Sequence, residues 1–386
     1  MMKHLQIFLL LCGVVWVPIL LTYSYNTQSR EGSGGDVAPN FTWNVNTSRD
    51  LAIYVEPENT TAVITNENLC SSNSADHRQK PLLLIVVCSA VGNVKARDVI
   101  RKTWKYVGPN ETAPFDVRTV FLLGQTINDT KQSDVLLESN THRDIIQEGF
   151  IDAYLNLKVC SITTSAEASN TFNLLSLRTL KSVMMLKWVK TYCPQVTFVL
   201  KTDDDMFINV RTLTEYLSQS DVQARKDLIV GSLFCRVSPI KDAGSKWYSP
   251  LFMYDAKVYP DYVSGTGYVI SGPLVPILFE NALHVPLFHL EDVYTTGIVA
   301  KRANVIPENS HLFSFVKHPT TNPCLYRKII TSHGLNPSEL KSVWRQINDP
   351  LLNCTSVRLP KIGDPKFKKC HKTARLSVRR SGRKRF

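Results

Sequence analysis

The chain has 386 residues, 44% hydrophobic and 20% charged, an ordinary globular composition with enough apolar residues for one large domain or two smaller ones. Its formal net charge of +12 looks at first like a nucleic-acid signal, but ten Lys/Arg and no acid fall in residues 366–386, and without them +2 remains. The basic character therefore belongs to a C-terminal tail, 358–386, read as a disordered appendage, and nucleic acid is excluded as the main partner.

In chain order, Lys3 and His4 precede a stretch with no charged residue until Arg30, mostly apolar from Leu5 to Leu21. Trp16, Tyr23 and Tyr25 suit the membrane interface, and a positive residue on the short side puts residues 1–4 in the cytosol. A signal anchor over 5–25 is expected. A cleaved signal peptide is the alternative, although no A-x-A-like site follows the apolar run. Six glycosylation sequons occur, at Asn40, Asn46, Asn59, Asn110, Asn128 and Asn353, and three of them fall in the Ser/Thr/Asn-rich residues 26–80, which read as a glycosylated lumenal stem. The nine cysteines show no CxxC spacing, so a structural zinc site is not expected and disulfide connectivity stays open.

The folded part begins with PLLLIVVCSA, 81–90, a continuous apolar run of strand length, and VKARDVIRKTW, 94–104, has helical spacing. RTVFLLG, 118–124, reads as a second strand, the acid-rich 131–148 as an amphipathic helix, and 180–193 as a helix stopped by Pro194. Alternation of this kind predicts a parallel sheet covered on both faces.

VTFVLKTDDDMFINV, 196–210, then places Asp203, Asp204 and Asp205 at the carboxyl end of a buried strand, where ligands of open α/β sheets sit. Three adjacent carboxylates repel one another unless a cation neutralises them, and hard oxygen ligands favour Mg²⁺ or Mn²⁺. Taken alone, the cluster is equally a solvated acidic turn. Downstream, 246–271 is aromatic-rich and then glycine-rich: Trp247, Tyr248, Tyr259 and Tyr262 offer a sugar-stacking surface or core, and Gly265 and Gly267 would admit backbone close to a ligand. FHLEDVYTTG, 288–297, adds Glu291 and Asp292, suited to general-base work or to a helix N-terminus.

The blocks ARDVIRKTW (96–104), FLLG (121–124), KTDDDMFINV (201–210), KWY (246–248), YPDYVSGTGYVIS (259–271), EDVYTTG (291–297) and SHGLNPSEL (332–340) resemble, in order and spacing, the β-1,3-galactosyltransferase family of inverting, lumenal glycosyltransferases. SAVGN (89–93) and HVPLF (284–288) are similar to its brainiac-type members, and the segment around CLYRKIITSHG to its globoside-synthase branch. The resemblance implies an α/β GT-A fold, a Rossmann-like nucleotide-sugar-binding domain over 81–357, and a Golgi type II membrane enzyme. That enzyme would use Mn²⁺ and a UDP-sugar (Gal, GlcNAc or GalNAc) to build a β-1,3 linkage on a glycoprotein or glycolipid acceptor glycan. Carried over by position, Asp205 and His333 would hold the metal and Asp203 and Asp204 would contact the nucleotide or position the metal. Arg97, Arg101 and Trp104 would line the nucleotide pocket, Asp292 would be the catalytic base, and Glu291 would orient the acceptor. Trp247, Tyr248, Gly265 and Gly267 would meet substrate. A catalytically silent relative acting as a lumenal glycan-binding protein or chaperone is the alternative; such a protein would be expected to lose the DDD or EDV carboxylates, and this chain keeps both.

The chain departs from the family pattern most between DAYLNL (152–157) and TLKSVMMLKWV (179–189), where residues 158–178 have no recognised counterpart and read as a genuine insertion or a translated intron. Smaller departures are Lys105 for glycine, Val263 for cysteine, and one extra residue in EDVYTTG.

Overall fold

A computed structural model describes residues 48–71, 80–105, 114–152, 158–159, 170–171, 174–354 and 370. The anchor at 5–25, the sequons Asn40, Asn46 and Asn110, and the basic tail apart from Cys370 lie outside these; among the described residues no helix is long and apolar enough to cross a membrane. Asn59, Asn128 and Asn353 are exposed.

The strands are β1 Ala62–Ile64, β2 Leu82–Cys88, β3 Asp116–Gln125, β4 Ile145–Ile151, β5 Lys158–Val159, β6 Asn170–Thr171, β7 Phe198–Asp203, β8 Phe207–Ile208, β9 Ile229–Phe234, β10 Tyr262–Ser271, β11 Glu308–Asn309 and β12 Thr331–Ser332. Eight form one sheet in the order β1-β4-β3-β2-β7-β10-β9-β11, with β5–β6 and β8–β12 as separate pairs. The continuous apolar strands β2, β3 and β7 run parallel as predicted, with β4 parallel beside β3, and Leu83, Leu84, Ile85, Val86 and Val87 are buried on both faces of the sheet. Alternate residues Leu83, Ile85 and Val87 join one core with Val99, Ile100 and Trp104, under helices Val94–Arg101 and Pro337–Ile347, which pack together. The helix Leu174–Tyr192 packs against β3 and the helix Val275–Leu283.

Three expectations change. The sheet is mixed rather than parallel, because β10 pairs antiparallel with both β7 and β9, and β1 antiparallel with β4. The predicted helix 131–148 ends at His142 and gives way to β4. The stem does not extend to residue 80: β1 extends the sheet, Lys187 Nζ donates to the carbonyls of Val55, Glu56 and Asn59, and Cys70 is bonded to Cys193. Further disulfides join Cys324 to Cys354 and Cys235 to Cys370, so one point of the 358–386 tail is fixed to β9's end. In the segment Ile240–Tyr248, bridged between its two ends, Lys246 Nζ lies 4.5 Å from the centre of the exposed Trp247 ring and Tyr248 is half-buried.

Candidate active site

β7 delivers the acidic triplet to the carboxyl edge of the sheet, and each aspartate meets different partners. Asp203 Oδ1 accepts from Lys201 Nζ at 2.8 Å. Asp204 Oδ2 accepts from Ser89 Oγ at 2.6 Å and Asn93 Nδ2 at 2.9 Å, in the turn after β2. Burial pushes the Asp204 carboxyl up, and its two acidic neighbours add to that, against the pull of both hydrogen bonds.

Asp205 faces His333 because β12 pairs with β8 immediately after the triplet, with Ser332 opposite Phe207. Gly334, at φ 76°, makes the left-handed turn that glycine tolerates, and Leu335 N–H returns to the Asp205 carbonyl at 3.0 Å. The Asp205 Oδ2 to His333 Nε2 distance is 3.2 Å. Burial works against the Asp205 charge, yet His333 outweighs it and holds the carboxyl below the usual range; Asp205 raises His333 in turn. Asp205 Oδ1 is buried with no hydrogen-bond partner. An orphaned carboxylate oxygen beside an imidazole is a donor set that suits a divalent cation of the Mn²⁺ type. Among the described residues no group of three or more His, Cys, Asp or Glu converges.

The second carboxylate pair stands beside β10. Glu291 is buried and accepts from Ser182 Oγ at 2.7 Å and Tyr268 OH at 2.8 Å. Asp292 heads the π-helical turn Val293–Val299 and accepts from its own turn at Val293 N–H, 2.9 Å, and weakly from Gly265 N–H, 3.4 Å. Burial and then the Glu291 charge push the Asp292 carboxyl up to about 6. Gly265 packs closely here: a Cβ would meet Glu291 Oε2 at 2.8 Å and Asp292 Cβ at 3.3 Å, so the carboxylate pair would have to shift to admit one. Gly267 instead lies opposite Thr202 in the β7–β10 ladder, and its Cβ would meet Thr331 Cγ2 at 3.4 Å.

The galactosyltransferase family profile matches residues 95–177 and 166–311. Human β-1,3-galactosyltransferase 2 is 34% identical over 299 residues, 76% of this chain but 65% of that protein, so the match leaves about a third of that relative uncovered. Mouse β-1,3-galactosyltransferase 1 is 31% identical over 76% of this chain and 80% of that protein. The chain belongs to the galactosyltransferase family. Among solved structures, mouse xyloside xylosyltransferase 1 aligns with 66% of this chain and 97% of that chain at 12% identity and a TM-score of 0.33.

In this family member Arg97, Arg101 and Trp104, expected at the nucleotide pocket, are engaged by protein partners. Arg97 is fully buried and spends all five N–H donors on protein: two on Glu138, one on Ser89 Oγ, and one each on the carbonyls of Ala90 and Val91. Arg101 is committed to Asp98, Glu138 and Asp144, and Trp104 Nε1 donates to the Met206 carbonyl at 3.0 Å. These side chains shape the loop that carries Ser89 to Asp204 and the turn after the triplet. Replacing Arg97 with Met should lower stability by about 3–5 kcal/mol, since it breaks a buried ion pair and orphans two carbonyls. A calorimetric melting midpoint unchanged from wild type would instead mark Arg97 as a group held free for ligand.

Tyr259 and Tyr262 are buried, which decides their alternatives in favour of core. Sequence reasoning missed Lys201, Ser182, Tyr268 and the pair formed by Lys181 with Asp152 at 2.8 Å. Only Lys201 carried a signal: a lysine inside an apolar strand, two residues before an aspartate and so on the same face.

Proposed function

We propose that this galactosyltransferase-family chain transfers a hexose from a UDP-sugar to the 3-hydroxyl of an acceptor glycan with inversion, giving a β-1,3 linkage. Galactose is the first donor to test, with GlcNAc and GalNAc as the others. The observation that carries the reading is Asp292, a carboxylate pushed up to about 6 beside the strand end that bears the aspartate triplet. A base of that strength is ionised at neutral pH and still strong enough to accept a proton from a hydroxyl as that oxygen acquires a bond.

In this mechanism Asp292 Oδ2 takes the 3-hydroxyl proton while the oxygen attacks the anomeric carbon from the face opposite the departing UDP. One displacement converts an α-linked donor into a β product. Glu291, locked by Ser182 and Tyr268, orients the acceptor. Asp203 and Asp204 hold the nucleotide side, with Asp204 itself fixed by Ser89 and Asn93. Asp205 and His333 would hold Mn²⁺, which when bound supplies Lewis-acid stabilisation of the charge on the leaving diphosphate. The alternating α/β order and the ligand-edge placement of the triplet support a GT-A assignment. The uncharged run at 5–25 and the sequons support a single-pass type II Golgi location.

Because Asp292 must be ionised, kcat/KM should fall about tenfold per pH unit below about 6 and level off above it. A flat profile across that range would remove Asp292 from the role. The reading as a whole is tested by offering UDP-Gal, UDP-GlcNAc and UDP-GalNAc with Mn²⁺ against acceptors ending in Gal, GlcNAc or Man. Transfer from one donor is expected. Transfer only by a version lacking residues 158–178 would make the insertion a block, and no transfer by either version would overturn the reading.

A further inference from the structure

Lys201 links the two acidic groups of the site. It leaves β7 on the same face as Asp203, is 4% exposed, and has three N–H donors to place. Asp203 Oδ1 lies 2.8 Å from its Nζ, the Gly265 carbonyl 2.6 Å, and Glu291 Oε2 3.6 Å. A buried ammonium is costly to desolvate and persists only where its surroundings compensate. Here the compensation comes from opposite sides of the site. Gly265, which takes Lys201 on its carbonyl, meets Asp292 Oδ2 on its N–H. Tyr268, the register partner of Lys201 across the β7–β10 ladder, donates to Glu291.

We propose that Lys201 is a positioning residue that holds the aspartate-bearing end of β7 and the Glu291–Asp292 pair at one fixed separation, an inference that rests on the transferase reading above. It acts through Asp203, Gly265 and Glu291 and touches no substrate. The groups facing Lys201 are Asp203 on its own strand, Glu291, and Cys88 at the end of β2, with Lys181 beyond that thiol. Asp292 is faced by Glu291, by the Tyr262 and Tyr259 hydroxyls, and by Lys201, whose charge favours the ionised carboxylate.

The test compares the full chain with Lys201→Met and Lys201→Arg. The readouts are kcat, donor KM, and a carbon-13 NMR titration of the Asp292 carboxyl, assigned by its loss in Asp292→Asn. Lys201→Met should move the Asp292 titration to higher pH, as loss of an opposite charge does, and lower kcat about 10- to 100-fold with little change in donor KM. Lys201→Arg keeps the charge but replaces a compact ammonium with a planar fork, so the titration should stay near wild type while kcat still falls at least about tenfold. Should Lys201→Met fail to fold, the arginine variant decides. An unmoved titration with unchanged kcat in Lys201→Met, or wild-type kcat in Lys201→Arg, overturns the inference. A wild-type chain without turnover would defeat the transferase reading instead, and the titration would still measure the coupling.

Discussion

Asp292→Asn should lower kcat by about 10²–10⁴-fold, the usual loss when a positioned general base is removed, with donor KM nearly unchanged. Asn keeps the shape and can still accept from Val293 N–H, so the fold should survive. Its stability should even improve relative to wild type at neutral pH. Folding raises the Asp292 pKa from 3.8 to about 6, so the native state holds that proton more tightly than the unfolded chain. The resulting stabilisation is fully present below the unfolded value and is lost as pH rises through about 6. Asn does not ionise and escapes that loss. The difference in melting midpoint, variant minus wild type, should therefore grow between about pH 4.5 and about pH 7.5 in calorimetry. Substantial turnover by Asp292→Asn, or a difference that shrinks over that range, would contradict the assignment.

Asp205→Ala should be equally severe for activity and mild for the fold. Removing a carboxylate that would hold the cation forfeits several kcal/mol of transition-state charge stabilisation, about 10³-fold or more in kcat/KM. Binding of Mn²⁺ in the presence of UDP, followed by the paramagnetic resonance of free Mn²⁺, should weaken in parallel. The structural loss is small because the pair with His333 is half-exposed and screened, worth about 0–1 kcal/mol. Its sign is the reverse of the Asp292 case. Folding depresses the Asp205 pKa, so its contribution is present above the unfolded value and disappears as pH falls through the folded one. The variant and wild type should thus converge in stability at acid pH. Retained Mn²⁺ binding in Asp205→Ala would remove this residue as a metal ligand.

The apolar run into Asp203–Asp205 announces a buried strand with acids at its ligand end, because that signal is local. His333 and Asp292 are singled out only by the resemblance of the SHG and EDV blocks to a family; residue type alone leaves a surface histidine and a helix-start acid. What stayed hidden depends on long-range partners. β4 carries Gln147 and Glu148 in a buried strand, which imitates the polar face of a helix; Gln147 is satisfied by Gln132 and the Gly124 carbonyl, and Glu148 by Thr61. β10, YVSGTGYVIS, lacks the continuous apolar character of β2, and its membership rests on backbone pairing with β7 and β9. Arg97 looked like a phosphate ligand because a guanidinium suits one. Its five donors are instead consumed by Glu138 on the helix Asp129–His142 and by Ser89, Ala90 and Val91 in the loop after β2, a fact that helix spacing does not encode. Lys201 acquires its place only when β10 brings Gly265, and the later turn at Glu291 its carboxylate, to it from more than sixty residues along the chain.

The most direct measurement is the anomeric configuration of the product, read by proton NMR after transfer by the full chain from a UDP-α-sugar with Mn²⁺ present. One displacement assisted by Asp292 predicts a β-1,3 linkage and no α product. An α-linked product, or a β-1,3 product formed equally fast by Asp292→Asn, would contradict the inverting mechanism built on this carboxylate.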